Sequence, residues 1–172
     1  TDEPYTIICE DDLSFDTVKY WNFSWEDFFN NLPKDWQLIQ LCLVREIMFL
    51  FYSSGIKMRD RCWCDWSACI YLISRTHAKN LIENYYPNEC IHLEYKGTDK
   101  HFREQEQDSF WFLLPHVENI IYSYFGDETF KGNYSFPLFV ENICFDSTWT
   151  GHNNPINKQS HDEILNWWKT EG

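Results

Sequence analysis

The stretch Ala68-Cys69-Ile70-Tyr71-Leu72-Ile73-Ser74-Arg75-Thr76-His77-Ala78 sets the fold class. Its first six residues are uncharged and rich in β-formers, which reads as a buried strand. Ser74 then offers a helix N-cap. From His77 to Tyr86 the apolar Ala78, Leu81, Ile82 and Tyr85 fall on one helical face, and Pro87 closes the helix. A strand that runs straight into a helix is the building unit of an α/β domain.

The same grammar extends in both directions. Upstream, Tyr5-Thr6-Ile7-Ile8-Cys9 reads as a short buried strand that ends abruptly in Glu10-Asp11-Asp12. An aromatic stretch from Phe15 to Phe29 follows, with Val18, Trp21, Trp25, Phe28 and Phe29 at helical spacing, and it ends near Asn30-Asn31-Leu32-Pro33. Trp36 to Leu43 reads as a strand, and Ile47 to Tyr52 is a further apolar run that stops at Ser53-Ser54-Gly55. Downstream, Glu94 to Asp108 is polar enough for a loop, and Val117, Ile120, Ile121 and Tyr124 again show helical spacing. Phe136-Pro137-Leu138-Phe139-Val140 reads as a short strand or an edge segment, because proline cannot donate to a central ladder. A Gly/Asn/Pro-rich loop from Gly151 to Pro155 precedes a last short helix, Asp162 to Lys169, with Ile164, Leu165 and Trp168 inward. Residues 1–172 therefore read as a single α/β domain without internal repeats.

Composition narrows the function classes. With 44% hydrophobic and 19% aromatic residues among 172, the chain can bury a core and is not a disordered segment. A net charge of -13 disfavours a nucleic-acid backbone or an anionic membrane as partner, since both reward Lys and Arg. No run approaches the ~20 apolar residues of a membrane span. The seven cysteines are an odd number, and Cys9, Cys42, Cys69 and Cys144 lie inside apolar runs, which suits free thiols in a reducing compartment such as the cytoplasm. Cys62-Trp63-Cys64 is the one close pair, a weak zinc signal without a second pair or a spaced histidine. The basic cluster from Lys57 to Arg61 reads as a solvated loop.

The acids after the first strand carry the chemistry. Glu10 and Asp12 are one residue apart, so on extended backbone both carboxylates can point the same way and converge on a hard cation, which can in turn hold a diphosphate. In open α/β sheets ligands bind at such strand ends. A plain solvated turn, or a helix opened by Asp12-Leu13-Ser14, is the competing reading. An EF-hand is excluded, because its sixth and twelfth loop positions, which need Gly and Glu, hold Thr17 and Phe23.

The order of these pieces resembles glycosyltransferase family 25, which includes the lipooligosaccharide and procollagen galactosyltransferases. The strand ending in Glu10-Asp11-Asp12 is similar to the family's acidic motif. Leu32-Pro33-Lys34-Asp35-Trp36-Gln37-Leu38-Ile39-Gln40-Leu41 resembles its turn and next strand, and Ser67-Ala68-Cys69-Ile70-Tyr71-Leu72-Ile73-Ser74-Arg75 its Ala-Tyr-Leu-Ile-Ser-Arg landmark. Glu118, Phe136-Pro137-Leu138 and Ser147-Thr148 follow in the family's order.

The resemblance implies a GT-A-like mixed sheet flanked by helices, here the C-terminal portion of the full fold without the usual N-terminal segment. It implies transfer of galactose or glucose from a UDP-sugar to a hydroxyl of a glycan or hydroxylysine-type acceptor, inverting and assisted by Mn²⁺ or Mg²⁺. The alternative is a non-catalytic interaction domain that kept the fold and lost the donor site. Asp12, Glu10 and His152 are the implied metal ligands. Glu10, Asp11 and Arg75 are the implied contacts to the nucleotide, and Glu118 or Asp65 is the implied catalytic base. The aromatic, acidic wording suits a divergent branch, such as a viral protein of the host cytoplasm, with the secretory pathway less favoured.

Overall fold

A computed structural model describes residues 2–44, 58–61, 65–85, 121, 131–143 and 155–171. Six strands form one sheet: β1 (Tyr5–Cys9), β2 (Leu13–Ser14), β3 (Leu38–Cys42), β4 (Arg59–Asp60), β5 (Ile70–Ser74) and β6 (Asn133–Glu141). Among the helices are α1 (Trp25–Asn30), α2 (Arg75–Tyr85) and α3 (Pro155–Thr170). The path across the sheet is β1-β5-β3-β6-β2, with β4 also paired to β6. Only β3 and β6 run parallel, and the other pairings are antiparallel. The result is an open, mixed α/β sheet.

The strand-to-helix unit forms as its sequence dictates. Ile70–Ser74 is buried except at its last residue, and the Ser74 hydroxyl accepts from the His77 amide at 3.1 Å, capping α2. Leu38, Tyr71 and Ile73 form a small core under Ala78 and Leu81 of this helix, whereas Ile82 is 58% exposed rather than inward. The opposite face of the sheet carries the main core, which includes Ile39, Leu41, Leu72, Leu138, Val140, Ile164 and Trp168. Aromatic rings roof it. Phe28 stacks on Phe136 at 6.0 Å, and Trp168 stands edge-on to the same Phe136 while its indole N–H donates to the Pro137 carbonyl at 2.9 Å.

Three readings of the sequence are corrected. The Phe15–Phe29 stretch is not one helix: a 3-10 turn at Val18–Tyr20 is followed by α1, which begins afresh at a capping box formed by Ser24 and Asp27. Pro137 does not mark an edge strand, because β6 lies inside the sheet, between β3 and the β2/β4 pair. The proline is accommodated by a bulge, since Gln40 to Cys42 on β3 lies opposite Ser135 to Phe139 on β6, and the ladders to β4 and β2 stop on either side of it. Third, β1 is exposed along its length and forms the sheet's edge. The final helix starts at Pro155, earlier than its apolar spacing suggests.

Candidate functional site

The acidic turn crosses one end of the sheet. The Glu10 amide donates to the Cys69 carbonyl at 2.7 Å, and the Asp12 carbonyl accepts from the Asn142 amide at 2.6 Å, so the segment runs from the start of β5 to the end of β6. Leu13 then pairs with Glu141 in β2. Because β3 and β6 both finish at this end, Glu10-Asp11-Asp12 lies over the carboxyl ends of the one parallel pair among the described residues. Ligand-binding crevices of open α/β sheets occupy this kind of position. No helix opens at Asp12, since Leu13–Ser14 is strand.

Within the turn the three acids differ. Glu10 and Asp11 are exposed, and Asp12 is partly buried. Asp12 Oδ1 is shut off from solvent and has no hydrogen-bond donor among the described residues. A carboxylate oxygen in that state is costly, by about 1–3 kcal/mol or more for a charged group, unless a cation or donor reaches it. Glu141, which the sequence did not single out, comes to the same corner through the β2–β6 pairing and accepts from Asn157 of α3 at 2.8 Å. Below them lies the Cys69 thiol. The neighbouring Cys42, burial, and the charges of Asp12 and Glu141 all push it above its ordinary range, so it stays protonated. Cys9, Cys42 and Cys69 are free thiols, and Cys9 is exposed, not buried as its apolar run suggests.

The other residues expected in the site do not all gather here. Asp65 is fully buried, forms an ion pair with Arg59, and accepts from the Ser135 hydroxyl at 3.0 Å. Around it, Gln40 donates to the Trp66 and Ser67 carbonyls at 2.7 Å each and accepts from Arg61 at 2.7 Å. The Arg61 guanidinium also donates to the Asp65 carbonyl. Both carboxylate oxygens of Asp65 are thereby engaged within the sheet. Arg75 pairs with Asp2 at 3.2 Å, and its amide donates to the Pro4 carbonyl at the start of β1. The length of β1, roughly 16 Å at ~3.3 Å per residue, separates it from Glu10. Glu118, His152 and the Cys62-Trp63-Cys64 pair lie outside the described residues.

Among the described residues, no three His, Cys, Asp or Glu side chains are arranged to hold a metal ion, and no helix is long and apolar enough to cross a membrane. The sheet and its acidic corner define an open, mixed α/β domain with a carboxylate-lined end. Neither a family model, nor a curated protein, nor a solved structure matches the chain.

Proposed function

We propose that the chain is part of a GT-A-type hexosyltransferase similar to glycosyltransferase family 25. It would transfer galactose or glucose from a UDP-sugar to a hydroxyl of a glycan or hydroxylysine-type acceptor. One observation carries this reading: the orphaned Oδ1 of Asp12, in an acidic turn over the carboxyl ends of β3 and β6. A hard dication fits that oxygen, and Asp12 with Glu10 would hold it, while exposed Asp11 is free for the nucleotide. When bound, Mn²⁺ or Mg²⁺ supplies a positive charge that offsets the charge building on the departing diphosphate. His152 is the proposed further ligand. Glu118 is the proposed base, taking the proton of the attacking hydroxyl, since the contacts of Asp65 are already used within the sheet.

Calorimetry with UDP tests the reading. Wild type binds UDP in Mn²⁺ and not in EDTA, and Asp12→Ala weakens binding at least tenfold. If wild type binds no UDP with either ion, the transferase reading fails. The second reading, an interaction domain without a donor site, then stands; the exposed apolar edge of β1 favours it.

A further inference from the structure

We propose that the outer edge of β1 is a docking site for an extended strand of another chain, one whose short apolar core is flanked by basic residues. The inference is independent of any transferase activity. It begins with the ladder. Tyr5 lies opposite Ser74 and Cys9 opposite Ile70, and the bonds from Glu10 N to Cys69 O and from Arg75 N to Pro4 O fix which pairs exchange hydrogen bonds. In an antiparallel ladder these alternate. Thr6 and Ile8 therefore turn their N–H and C=O groups to β5, and Tyr5, Ile7 and Cys9 turn theirs outward. The Ser74 amide agrees, because it donates to Gln37 on the far side, at 2.8 Å. Of the outward groups, the Ile7 carbonyl has only a long 3.4 Å contact from the Thr6 hydroxyl.

Natural edge strands are usually blunted by lysine, proline within the strand, or a bulge. β1 has none of these. Its pairing to β5 is regular through all five positions, it contains no charge, and Tyr5, Ile7 and Ile8 are 39%, 40% and 43% exposed. Among the described residues no strand pairs with this edge. Such an edge recruits a strand through main-chain hydrogen bonds, with side chains giving selectivity.

Charge selects the occupant. Asp2 and Glu3 precede β1, and Glu10, Asp11 and Asp12 follow it. Arg75, paired with Asp2, is the cation recorded beside this rim. A second copy is a poor fit. Setting Ile7 opposite Ile7, the antiparallel register that overlaps the whole of both strands with their outward groups bonded, places Glu3 opposite Asp11 and Asp2 opposite Asp12, and like charges directly opposite are destabilising. A strand with Lys or Arg at both ends turns the same positions into attractions.

The test uses a synthetic peptide of alternating valine and threonine between paired lysines, with no UDP or metal present. The expected result is binding that weakens at least tenfold when the lysines become glutamates, and again when the peptide amides facing β1 are N-methylated. Amide exchange should slow at Tyr5, Ile7 and Cys9 and stay unchanged at Thr6 and Ile8. Ile7→Pro, which removes an outward N–H while sparing the β5 ladder, should abolish binding with the fold retained by circular dichroism. Several results would overturn the proposal: equal binding of the glutamate peptide, no protection at the three outward amides, or dimerisation of the chain through β1 in sedimentation. So would outward amides that are already protected in the longest natural form of the chain.

Discussion

Asp12 and Asp65 stand at opposite extremes of the same sheet. Asp65 is fully buried, and both of its carboxylate oxygens are used, one by Arg59 and the other by Ser135. Asp12 is nearer the surface, yet one of its oxygens is buried without a donor. A buried charge that is fully partnered belongs to the fold, and removing it strands its partners. An unpartnered oxygen at a sheet end gains nothing from the fold as it stands, and the proposed cation would supply the missing partner.

The sharpest test exchanges the two. Asp65→Ala leaves Arg59 without its carboxylate, and the expected loss is about 3–5 kcal/mol, a melting temperature lower by roughly 10 °C or more in a domain of this size. Asp12→Ala removes the unpartnered oxygen and should leave the melting temperature unchanged or raise it by a few °C, while weakening metal-dependent UDP binding at least tenfold. If both variants melt alike, the division between fold and site collapses.

A smaller effect tests the loop that delivers Asp65 and Cys69. Ser67 sits at φ 95°, in the left-handed region that favours glycine, and its hydroxyl accepts from the Cys69 amide at 3.1 Å. Ser67→Ala keeps the strain and loses the acceptor, so it should cost about 1–2 kcal/mol in urea denaturation. Ser67→Gly loses the same bond but relieves the backbone, and should lie closer to wild type. A glycine variant less stable than the alanine variant would show that relief of the backbone at Ser67 does not offset the extra freedom of glycine in the unfolded chain.

The sequence discloses what is local. The β5–α2 unit was legible because an apolar run, a serine cap and a helical face follow one another without a break, and the acids after β1 were legible as a strand terminus. Burial of β1 was misread because Tyr-Thr-Ile-Ile-Cys looks the same in a central and an edge strand; which it is depends on neighbours far along the chain. Pro137 misled in the opposite sense, since a bulge inside a central strand can absorb a missing donor. The partners of Asp65 were not legible because Ser135 is distant in sequence, and Glu141 was missed because only its pairing with Leu13 brings it to the acids. The α/β class was therefore readable, whereas the finer GT-A assignment rests on motif order and on the state of one carboxylate oxygen.

His77 falls between the two aspartates and gives the smallest predicted effect. It is buried at the start of α2, with Nε2 3.1 Å from the Ile121 carbonyl. Burial lowers its pKa below the ordinary value, and the Ile121 bond opposes that shift only in part. The ordinary value of about 6.5 describes the unfolded chain. Between that value and the lower folded one, the unfolded state binds more protons, so stability rises with pH across this interval and is lost as pH falls below about 6.5. The urea midpoint should accordingly fall between pH 7.5 and pH 5.5. The carboxylates with lowered values, Asp27 and Asp162, titrate below this range and do not contribute to it. His77→Gln can still donate to Ile121 but cannot titrate, and should remove most of the slope. An unchanged slope would mean that the protonation of His77 does not carry the pH dependence of folding.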